Sequence, residues 1–322
     1  DTMKDVRRSN LWLLDSASGA ARPITTGSVS DGQVAWSPDA TRIAYVSSDD
    51  GKSQVFVRWL DGGATARITQ LERGPSNLVW SPDGRQLAYT AFVPSESKPL
   101  ATMPKAPKGA EWAAPVMVIE HTNFRADGAG CRDPGFTHVF LVTADGGAPR
   151  QLTRGEFNVL GTPAWSKDGD SLYVSANKDS DGDYDPLESE VYRVTSSDGS
   201  MTRLTTRAGP DQGPRMSPDG KRLAYLGFDD KGLSYANAHL HVLDLASGRS
   251  RVLTDALDVG IDSAEWIDDR NIAVTYDSRG VTHVARIAVA DGRLASLVKD
   301  LGGTGIGRPY TGGAMSAAGG RI

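Results

Sequence analysis

The chain has 322 residues and a formal net charge of −5, and 39% of its residues are hydrophobic. This balance excludes a disordered or collagen-like chain, and it gives no electrostatic reason to expect nucleic acid or an anionic membrane as a partner. No apolar run approaches the ~20 residues of a membrane span, and the single cysteine, Cys131, excludes a framework of internal disulfides.

Two hairpin patterns alternate along the chain. The first starts with an aromatic residue and Ser-Pro-Asp-Gly, or a variant of it, and continues as a run of alternating polarity; it occurs at 36–48, 80–91, 165–176, 216–227 and, degraded, 266–277. The second is an alternating run with a Gly turn that mostly ends in Arg, an apolar residue and Thr; it occurs at 11–25, 55–69, 139–153, 191–205, 240–254 and 284–298. Asp-Gly suits tight hairpin turns, so each pattern predicts two antiparallel strands.

One pair of hairpins gives four strands in roughly 45 residues, the size of a propeller blade. The sequence therefore predicts an all-β chain that folds as one β-propeller over residues 1–322. Complete blades are expected at 33–69, 77–153, 162–205, 213–254 and 262–298, and the recurring Trp is expected to wedge between neighbouring blades. Partial blades at 11–25 and 312–322 bring the predicted count to seven.

Half-blades would leave unpaired strand edges, which natural propellers avoid. We therefore expect the chain to be a piece of a longer protein.

Motifs for catalysis and cofactor binding are absent from the sequence. It contains no Gly-x-Ser-x-Gly nucleophile turn, no His-Glu-x-x-His zinc motif and no phosphate-binding loop. We predict no catalytic residue and no cofactor in this chain.

The densest acidic segment lies at 179–190. Its carboxylates alternate and resemble a calcium loop, although Tyr184 stands where such a loop needs glycine. The candidate ligands are Asp179, Asp181, Asp183, Asp185 and Glu190. The alternatives are an anionic rim that attracts the amino group of a substrate, and a solvated hairpin tip.

Blade two carries an insertion of roughly 40 residues at 92–135, because the spacing from Trp80 to Trp165 is about twice that of the other repeats. Long insertions in propellers lie on a rim and often carry function. Glu111, Glu120 and Arg125 are its candidate contact residues; alternatively, Arg125 only holds the loop together by pairing with Asp127.

The order of these motifs resembles the propeller of the prolyl oligopeptidase family of serine peptidases, and in particular bacterial dipeptidyl aminopeptidases and acylaminoacyl peptidases. The segments that carry the resemblance are the WSPDG–LAY repeats, FRADGAG at 124–130, THVFLVTADGGAPRQLT at 137–153 and LGGTGIGRPYTGGAMS at 301–316.

The resemblance implies a C-terminal α/β-hydrolase domain, outside this chain, with a Ser-Asp-His triad that cleaves short peptides. The propeller would restrict access and help to shape the substrate pocket. Relatives that remove dipeptides bind the free amino terminus through propeller glutamates; the candidates here are Glu111, Glu120, Glu188 and Glu190.

A second hypothesis is a TolB-like propeller that binds a protein partner and has no enzyme attached, since TolB-like propellers share the repeats. The compartment, bacterial cytoplasm or periplasm, stays open, as do homo-oligomerisation and peptide specificity.

Overall fold

The computed structural model describes residues 8–48, 51–95, 104–113, 118–128, 130–303 and 310–322. Every regular element in these ranges is a β-strand, and none of them forms an α-helix. A helix long and apolar enough to cross a bilayer is likewise not found in the described part of the chain.

The strands form one hairpin, five four-stranded antiparallel sheets and a short hairpin in the insertion. The first hairpin is β1 (Trp12–Leu14) and β2 (Ala21–Pro23). Blade 1 contains β3 (Asp31–Trp36), β4 (Arg42–Ser47), β5 (Gln54–Trp59) and β6 (Thr65–Arg67). Blade 2 contains β7 (Pro75–Trp80), β8 (Gln86–Pro94), β11 (Gly135–Thr143) and β12 (Arg150–Gln151), with β9 (Arg125–Ala126) and β10 (Gly130–Cys131) inserted.

The remaining three blades carry no such inserted hairpin. Blade 3 contains β13 (Val159–Trp165), β14 (Ser171–Ala176), β15 (Glu190–Thr195) and β16 (Met201–Arg203). Blade 4 contains β17 (Asp211–Met216), β18 (Arg222–Gly227), β19 (His239–Asp244) and β20 (Ser250–Val252). Blade 5 contains β21 (Ser263–Asp268), β22 (Asn271–Ser278), β23 (Val281–Ala288) and β24 (Leu294–Val298).

The all-β propeller is confirmed, but the prediction of seven blades is wrong: the described residues form five four-stranded blades. Each terminal half-repeat had been counted as a blade, yet residues 11–25 supply only the two-stranded pair β1–β2. Residues 312–322 supply a single bridge between Ala318 and Arg321, and Arg321 also donates to the hydroxyl of Ser16, 3.3 Å away, in the β1–β2 turn.

The same two hydrogen bonds stabilise each Ser-Pro-Asp-Gly turn or its variant. In blade 2 the hydroxyl of Ser81 donates to Asp83, 2.6 Å away, and accepts from the amide of Gln86 at 2.9 Å. The same contacts recur from Ser37, Ser166 and Ser217. Because each carboxylate is stabilised as an acceptor, its pKa falls; in blade 1 the Ser37 hydroxyl is the main cause of an Asp39 pKa of about 2.

The recurring Thr at the end of the second hairpin closes blades 1 to 4 at the opposite end, whereas Val298 stands at this position in blade 5. The Thr hydroxyl accepts from the amide that starts the third strand, as between Thr69 and Val55 at 2.9 Å and between Thr205 and Val191 at 2.9 Å. The same bond occurs at Thr25, Thr153 and Thr254. We call the residue just before that amide the slot position; it is Asn10, Gln54, His138, Glu190 and His239 in successive repeats.

Apolar side chains fill the space between neighbouring blades. The predicted Trp wedge is present at three of these joints, through Trp80, Trp165 and Trp266, whereas Trp36 is half exposed. The indole N–H of Trp165 has no partner, but those of the other two donate across their joints. Trp80 is 5% exposed and its indole N–H donates to the Ala35 carbonyl of blade 1 at 3.0 Å, and Trp266 donates to Arg215 of blade 4 at 2.9 Å. Burying a large ring and pairing its one polar atom stabilises the stacking of one blade on the next.

Candidate functional site

The connections between second and third strands all emerge at one end of the blades, because antiparallel strands alternate in direction. The connections from each fourth strand to the next blade lie at the same end. Two long connections between second and third strands are the insertion, 95–134, in blade 2 and the acidic loop, 177–189, in blade 3. We call this end of the molecule the loop end.

The insertion of blade 2 contacts the acidic loop of blade 3. The imidazole of His121 lies 2.8 Å from the carboxylate of Asp183, and the hydroxyl of Thr122 donates to the Asp183 carbonyl at 2.5 Å. The His121 ring also packs edge-on against Phe136 at the start of β11. The two loops that the sequence singled out separately therefore form one composite rim.

An ion pair also fixes the segment through which the insertion leads back into β11. Arg73, in the connection from blade 1 to blade 2, lies 2.7 Å from Asp133, and its guanidinium also lies over the ring of Phe92. The insertion is thus attached to the connections on both sides of its own blade. Nothing in the sequence marked Arg73, because its partner is 60 residues away.

The predicted contact residues of the insertion point to solvent. Glu111, Glu120 and Arg125 are all exposed, and Arg125 takes part in the small hairpin through its backbone pairing with Cys131. Asp127 is described as well, and no ion pair joins it to Arg125. Residues 96–103, 114–117 and 129 of the insertion lie outside the described residues.

The acidic loop folds through turns and ion pairs. Asp179 lies 3.2 Å from Arg203, Asp183 is held by His121, and the amides of Tyr184 and Asp185 both donate to the Asp181 carbonyl. Across the described residues, no group of three or more His, Cys, Asp or Glu side chains is placed to hold a metal ion. The predicted calcium site therefore gains no geometric support and stays a prediction. Its candidate ligands are Asp179, Asp181, Asp183, Asp185 and Glu190.

Glu190 occupies the slot position and is only 1% exposed. Its carboxylate accepts from the guanidinium of Arg203 and from the hydroxyl of Thr205. Gln54 and His138 contact the corresponding Thr in their own blades, the former through its amide oxygen at 2.9 Å. Glu190 therefore closes its blade, and both of its carboxylate oxygens already accept hydrogen bonds.

Glu188 is the candidate that keeps an unused acceptor. One carboxylate oxygen accepts from the Gly209 amide at 2.8 Å, while the other is buried and has no partner. Burial, and then the nearby charges of Glu190, Asp185 and Asp179, raise the pKa of Glu188 above its ordinary value. A ligand that donates a hydrogen bond would satisfy this oxygen.

A charged cluster next to the acidic loop has no signal in the sequence. Arg207 pairs with Asp211, whose side chain is fully buried at the start of β17, and lies 3.1 Å from the exposed Asp229. Burial is the main cause that raises the pKa of Asp211 to about 6, with Arg207 opposing it. The i,i+4 spacing of Arg207 and Asp211 was visible, but in a loop that spacing carries no structural meaning.

Two family descriptions match the chain. Residues 2–105 match "TolB beta propeller domain", and residues 129–214 match "Dipeptidyl peptidase IV (DPP IV) N-terminal region". The protein is thus a β-propeller whose N-terminal third resembles the TolB propeller domain and whose middle resembles the N-terminal region of dipeptidyl peptidase IV.

Individual relatives agree. The chain is 29% identical to an uncharacterized peptidase of Bacillus subtilis over 54% of the chain and 26% of that protein. It is 22% identical to dipeptidyl-peptidase 5 of Porphyromonas gingivalis over 90% of the chain and 43% of that protein. The acylaminoacyl peptidase of Pyrococcus horikoshii superposes with a TM-score of 0.66 at 16% identity, covering 89% of this chain and 41% of that one, which shows a shared fold.

The resemblance to the propeller portion of prolyl oligopeptidase-family serine peptidases is thereby confirmed. The chain spans less than half the length of these two curated relatives.

Proposed function

We propose that the chain is the non-catalytic, substrate-restricting propeller of a serine peptidase that acts on short peptides, of the dipeptidyl or acylaminoacyl type. The observation that carries the proposal is the composite rim, in which His121 joins the insertion to Asp183 of the acidic loop. Such a rim narrows one end of the propeller and concentrates negative charge there.

The charge of the rim suits one end of a peptide. Asp181 and Asp185 are exposed, and Glu188 of the same loop is partly buried with one unpaired oxygen. Carboxylates on a narrow opening attract a positively charged group. In this proposal the rim favours peptides with a free amino terminus, and a C-terminal α/β-hydrolase domain of the same protein performs the chemistry.

The first test uses the coding sequence beyond Ile322. A hydrolase segment with a Gly-x-Ser-x-Gly turn supports the peptidase proposal. Purified alone, the 322-residue chain should not cleave aminoacyl or acyl-aminoacyl chromogenic substrates, whereas the protein extended by that segment should. Serine-hydrolase activity of the chain alone would contradict a non-catalytic role.

The second test addresses restriction of access in the extended protein. Asp183→Asn weakens the contact with His121 and should raise cleavage of a long peptide relative to a chromogenic dipeptide. Asp181→Asn is the matched control, because it removes the same charge from the same loop without touching the insertion. Equal effects of the two variants would show that charge, and not the closed rim, governs access.

A TolB-like binding module without an enzyme is the second candidate, favoured by the match of residues 2–105. A coding sequence that ends or continues without any hydrolase segment after Ile322 would decide for it.

A further inference from the structure

The hairpin β1–β2 at the start of the chain is the outer half of a blade. Its strands correspond to the third and fourth strands of a complete blade, because Leu11 and Thr25 pair as Val55 and Thr69 do in blade 1. In every complete blade the third strand also pairs with a second strand on its other edge. Among the described residues, no strand pairs with that edge of β1.

This half-blade stacks on blade 1 as a complete blade does, but it leaves the inner part of the joint open. The Asp31 amide donates to the Ser9 carbonyl at 2.8 Å, as the Asp211 amide does to Ser189 between blades 3 and 4. Trp36 is nevertheless 50% exposed, whereas the Trp at its position in blades 2, 3 and 5 is 5–7% exposed. The half-blade lacks the first strand on which such a Trp packs.

Residues 310–322, which we call the C-terminal repeat, have the sequence of the missing half. MSAAGGRI at 315–322 aligns with MSPDGKRL at 216–223, the turn between the first and second strands of blade 4, and four of the eight residues are identical. In this alignment residues 310–315 correspond to a first strand, and Arg321 starts a second strand as Arg222 does in β18.

The backbone of the C-terminal repeat shares a feature with the first strands. Three blades have a positive φ three residues before their Trp or Met, at the β-bulge of the first strand: 51° at Gln33, 57° at Asn77 and 63° at Gly213. Gly312 stands three residues before Met315 and has a φ of 75°. Residues other than glycine rarely adopt this conformation, so its recurrence at one position supports the alignment.

The C-terminal repeat lies against the half-blade at the equivalent place. In each complete blade, the residue that starts the turn between the third and fourth strands donates its amide to the residue before the second strand, as Leu60 does to Thr41 at 2.9 Å. Ser16 is the counterpart of Leu60 in the half-blade. Arg321 of the C-terminal repeat donates to the Ser16 hydroxyl at 3.3 Å.

Blade 5 contacts the C-terminal repeat from the other side. Thr282 of β23 aligns with Ser189, the residue that links blade 3 to the first strand of blade 4. The Thr282 hydroxyl accepts from the Gly313 amide at 3.0 Å. The repeat therefore bridges blade 5 and the β1–β2 hairpin, the two neighbours between which a sixth blade would lie.

We propose that the first and last repeats of the chain complete one another as a sixth blade, which closes the wheel. Residues 310–315 form its innermost strand, and the strand that begins at Arg321, in the protein continued past Ile322, pairs with the free edge of β1. The sixth blade does not depend on the proposed peptidase function.

The coding sequence beyond Ile322 gives the first test. The second strands β4, β14 and β18 each have six residues, and most of these side chains are buried. An apolar, strand-like run of about this length should therefore follow Arg321. A coding sequence that stops at Ile322, or continues without such a run, would overturn the sixth blade.

An engineered disulfide tests the pairing directly in the full-length protein with Cys131→Ser. Because Leu223 pairs with Leu243 in blade 4, Ile322 should lie opposite Leu14. Leu14→Cys with Ile322→Cys should form an intramolecular crosslink in a glutathione buffer, with an effective concentration at least about tenfold above that of a control pair. Peptide mapping by mass spectrometry identifies the crosslink.

The control pair is Ala21→Cys with Ile322→Cys. Ala21 lies opposite Leu14 on the other edge of β1, so it would be two strand spacings, roughly 10 Å, from the new strand and beyond the reach of a disulfide.

Two variants of Gly312 test the predicted bulge. Gly312→Asn should leave the crosslinking unchanged, because Asn77 already takes this conformation in blade 2. Gly312→Val should lower it severalfold, because a β-branched residue resists a positive φ. Both side chains have room, since nothing lies within 4 Å of the position that a Cβ would take.

Three crosslinking results would overturn the sixth blade. The first is equal crosslinking of the two cysteine pairs. The second is a crosslink between two molecules, which would assign the edge of β1 to a second copy, and the third is an equal effect of the two Gly312 variants. None of these measurements uses peptidase activity, so the sixth blade and the proposed function can fail separately.

Discussion

The joints between blades 1 and 2 and between blades 3 and 4 are built from the same repeat but hold together differently. At the first, Trp80 fills the space and donates to the Ala35 carbonyl, and Arg42 lies over the indole at 4.9 Å. At the second, Met216 stands at the Trp position. A cavity and the Arg207–Asp211 pair accompany that replacement.

The difference shows that two neighbouring blades of the same backbone architecture can be joined either by a buried apolar side chain or by a polar network. The wedge stabilises through buried area and one hydrogen bond. The network must offset the cost of burying charge, so it adds little stability but provides specific donors and acceptors. The apolar joint stabilises the stacking of two blades, whereas the polar joint places a buried charged pair between them.

The largest expected effect comes from the wedge. Trp80→Ala should lower the free energy of unfolding by about 4 kcal/mol, and Met216→Ala by about 2 kcal/mol, because the Met side chain is smaller and only partly buried. Urea unfolding followed by circular dichroism measures both. Equal losses would remove the distinction between the joints.

Breaking the polar joint should cost slightly less than removing the wedge. Arg207→Ala leaves the Asp211 carboxylate buried without a counter-charge, and should lower the free energy of unfolding by about 3 kcal/mol at neutral pH. Asp229→Asn removes the exposed partner of the same guanidinium and should change it by less than about 1 kcal/mol. A similar loss in both variants would mean that burial does not set the energetics of this pair.

The pH dependence of stability distinguishes the joints further. The Asp211 pKa is raised by burial to about 6, so the native state binds more protons than the unfolded state, and stability falls as pH rises from 3.8 to about 6. Burial and then Arg207 lower the His241 pKa from 6.5 to about 4, so stability falls as pH drops from 6.5 through about 4. The two slopes oppose each other, each on the order of 3 kcal/mol over its window.

Removing one group should remove its own slope. Relative to the unaltered chain, His241→Phe should become less stable as pH rises from about 4 to 6.5, because the stability that neutral His241 regains over this range is lost. Asp211→Asn should become more stable relative to the unaltered chain as pH rises from 3.8 to about 6, because the cost of ionising the buried carboxyl is removed. Unfolding free energies across this range, taken as differences from the unaltered chain, cancel the other titrating groups; slopes of the same sign would refute the assignment.

A smaller loss of stability should be the same in blade 2 and in blade 4. Ser81→Ala in blade 2 and Ser217→Ala in blade 4 remove the same hydroxyl from the same hydrogen-bonded turn, and each should cost about 1 kcal/mol. Thermal unfolding of the two variants provides the measurement. A clear inequality would show that the blades themselves, and not only the joints, differ.

The smallest expected effect is that of calcium. Glu190, Asp179 and Asp183 are already paired with Arg203 or His121, so millimolar calcium should not shift the melting temperature. An Arg203→Ala variant frees two of these carboxylates and is the control in which a shift is allowed. A shift in the unaltered chain would restore the calcium loop.

The fold was predictable because its signals are local and repeated. The Ser-Pro-Asp-Gly turn is held by contacts within five residues, and Thr205 reaches Val191 only 14 residues away. The blade count was overestimated because half a repeat has the same sequence signature whether or not it finds two further strands.

The candidate site was only partly predictable. The acidic loop and the insertion stand out in composition, but His121 and Asp183 are 62 residues apart, and no local pattern marks their contact. Glu190 was predicted as a ligand residue, but its place at the first position of β15 also makes it the counterpart of Gln54 and His138. Aligning the repeats on their terminal Thr would have revealed this from the sequence.

The slot position has a consequence for how this propeller can change. The Thr hydroxyl accepts from the backbone amide that follows the slot position, so the slot side chain is not needed to pair that amide. The slot position accordingly carries an amide at Gln54, an imidazole at His138 and a carboxylate at Glu190. In blades 1 to 4 the slot position can thus differ in chemistry while the backbone around it stays the same. Duplication of such a repeat in a gene would therefore copy a complete blade together with one position whose side chain can change.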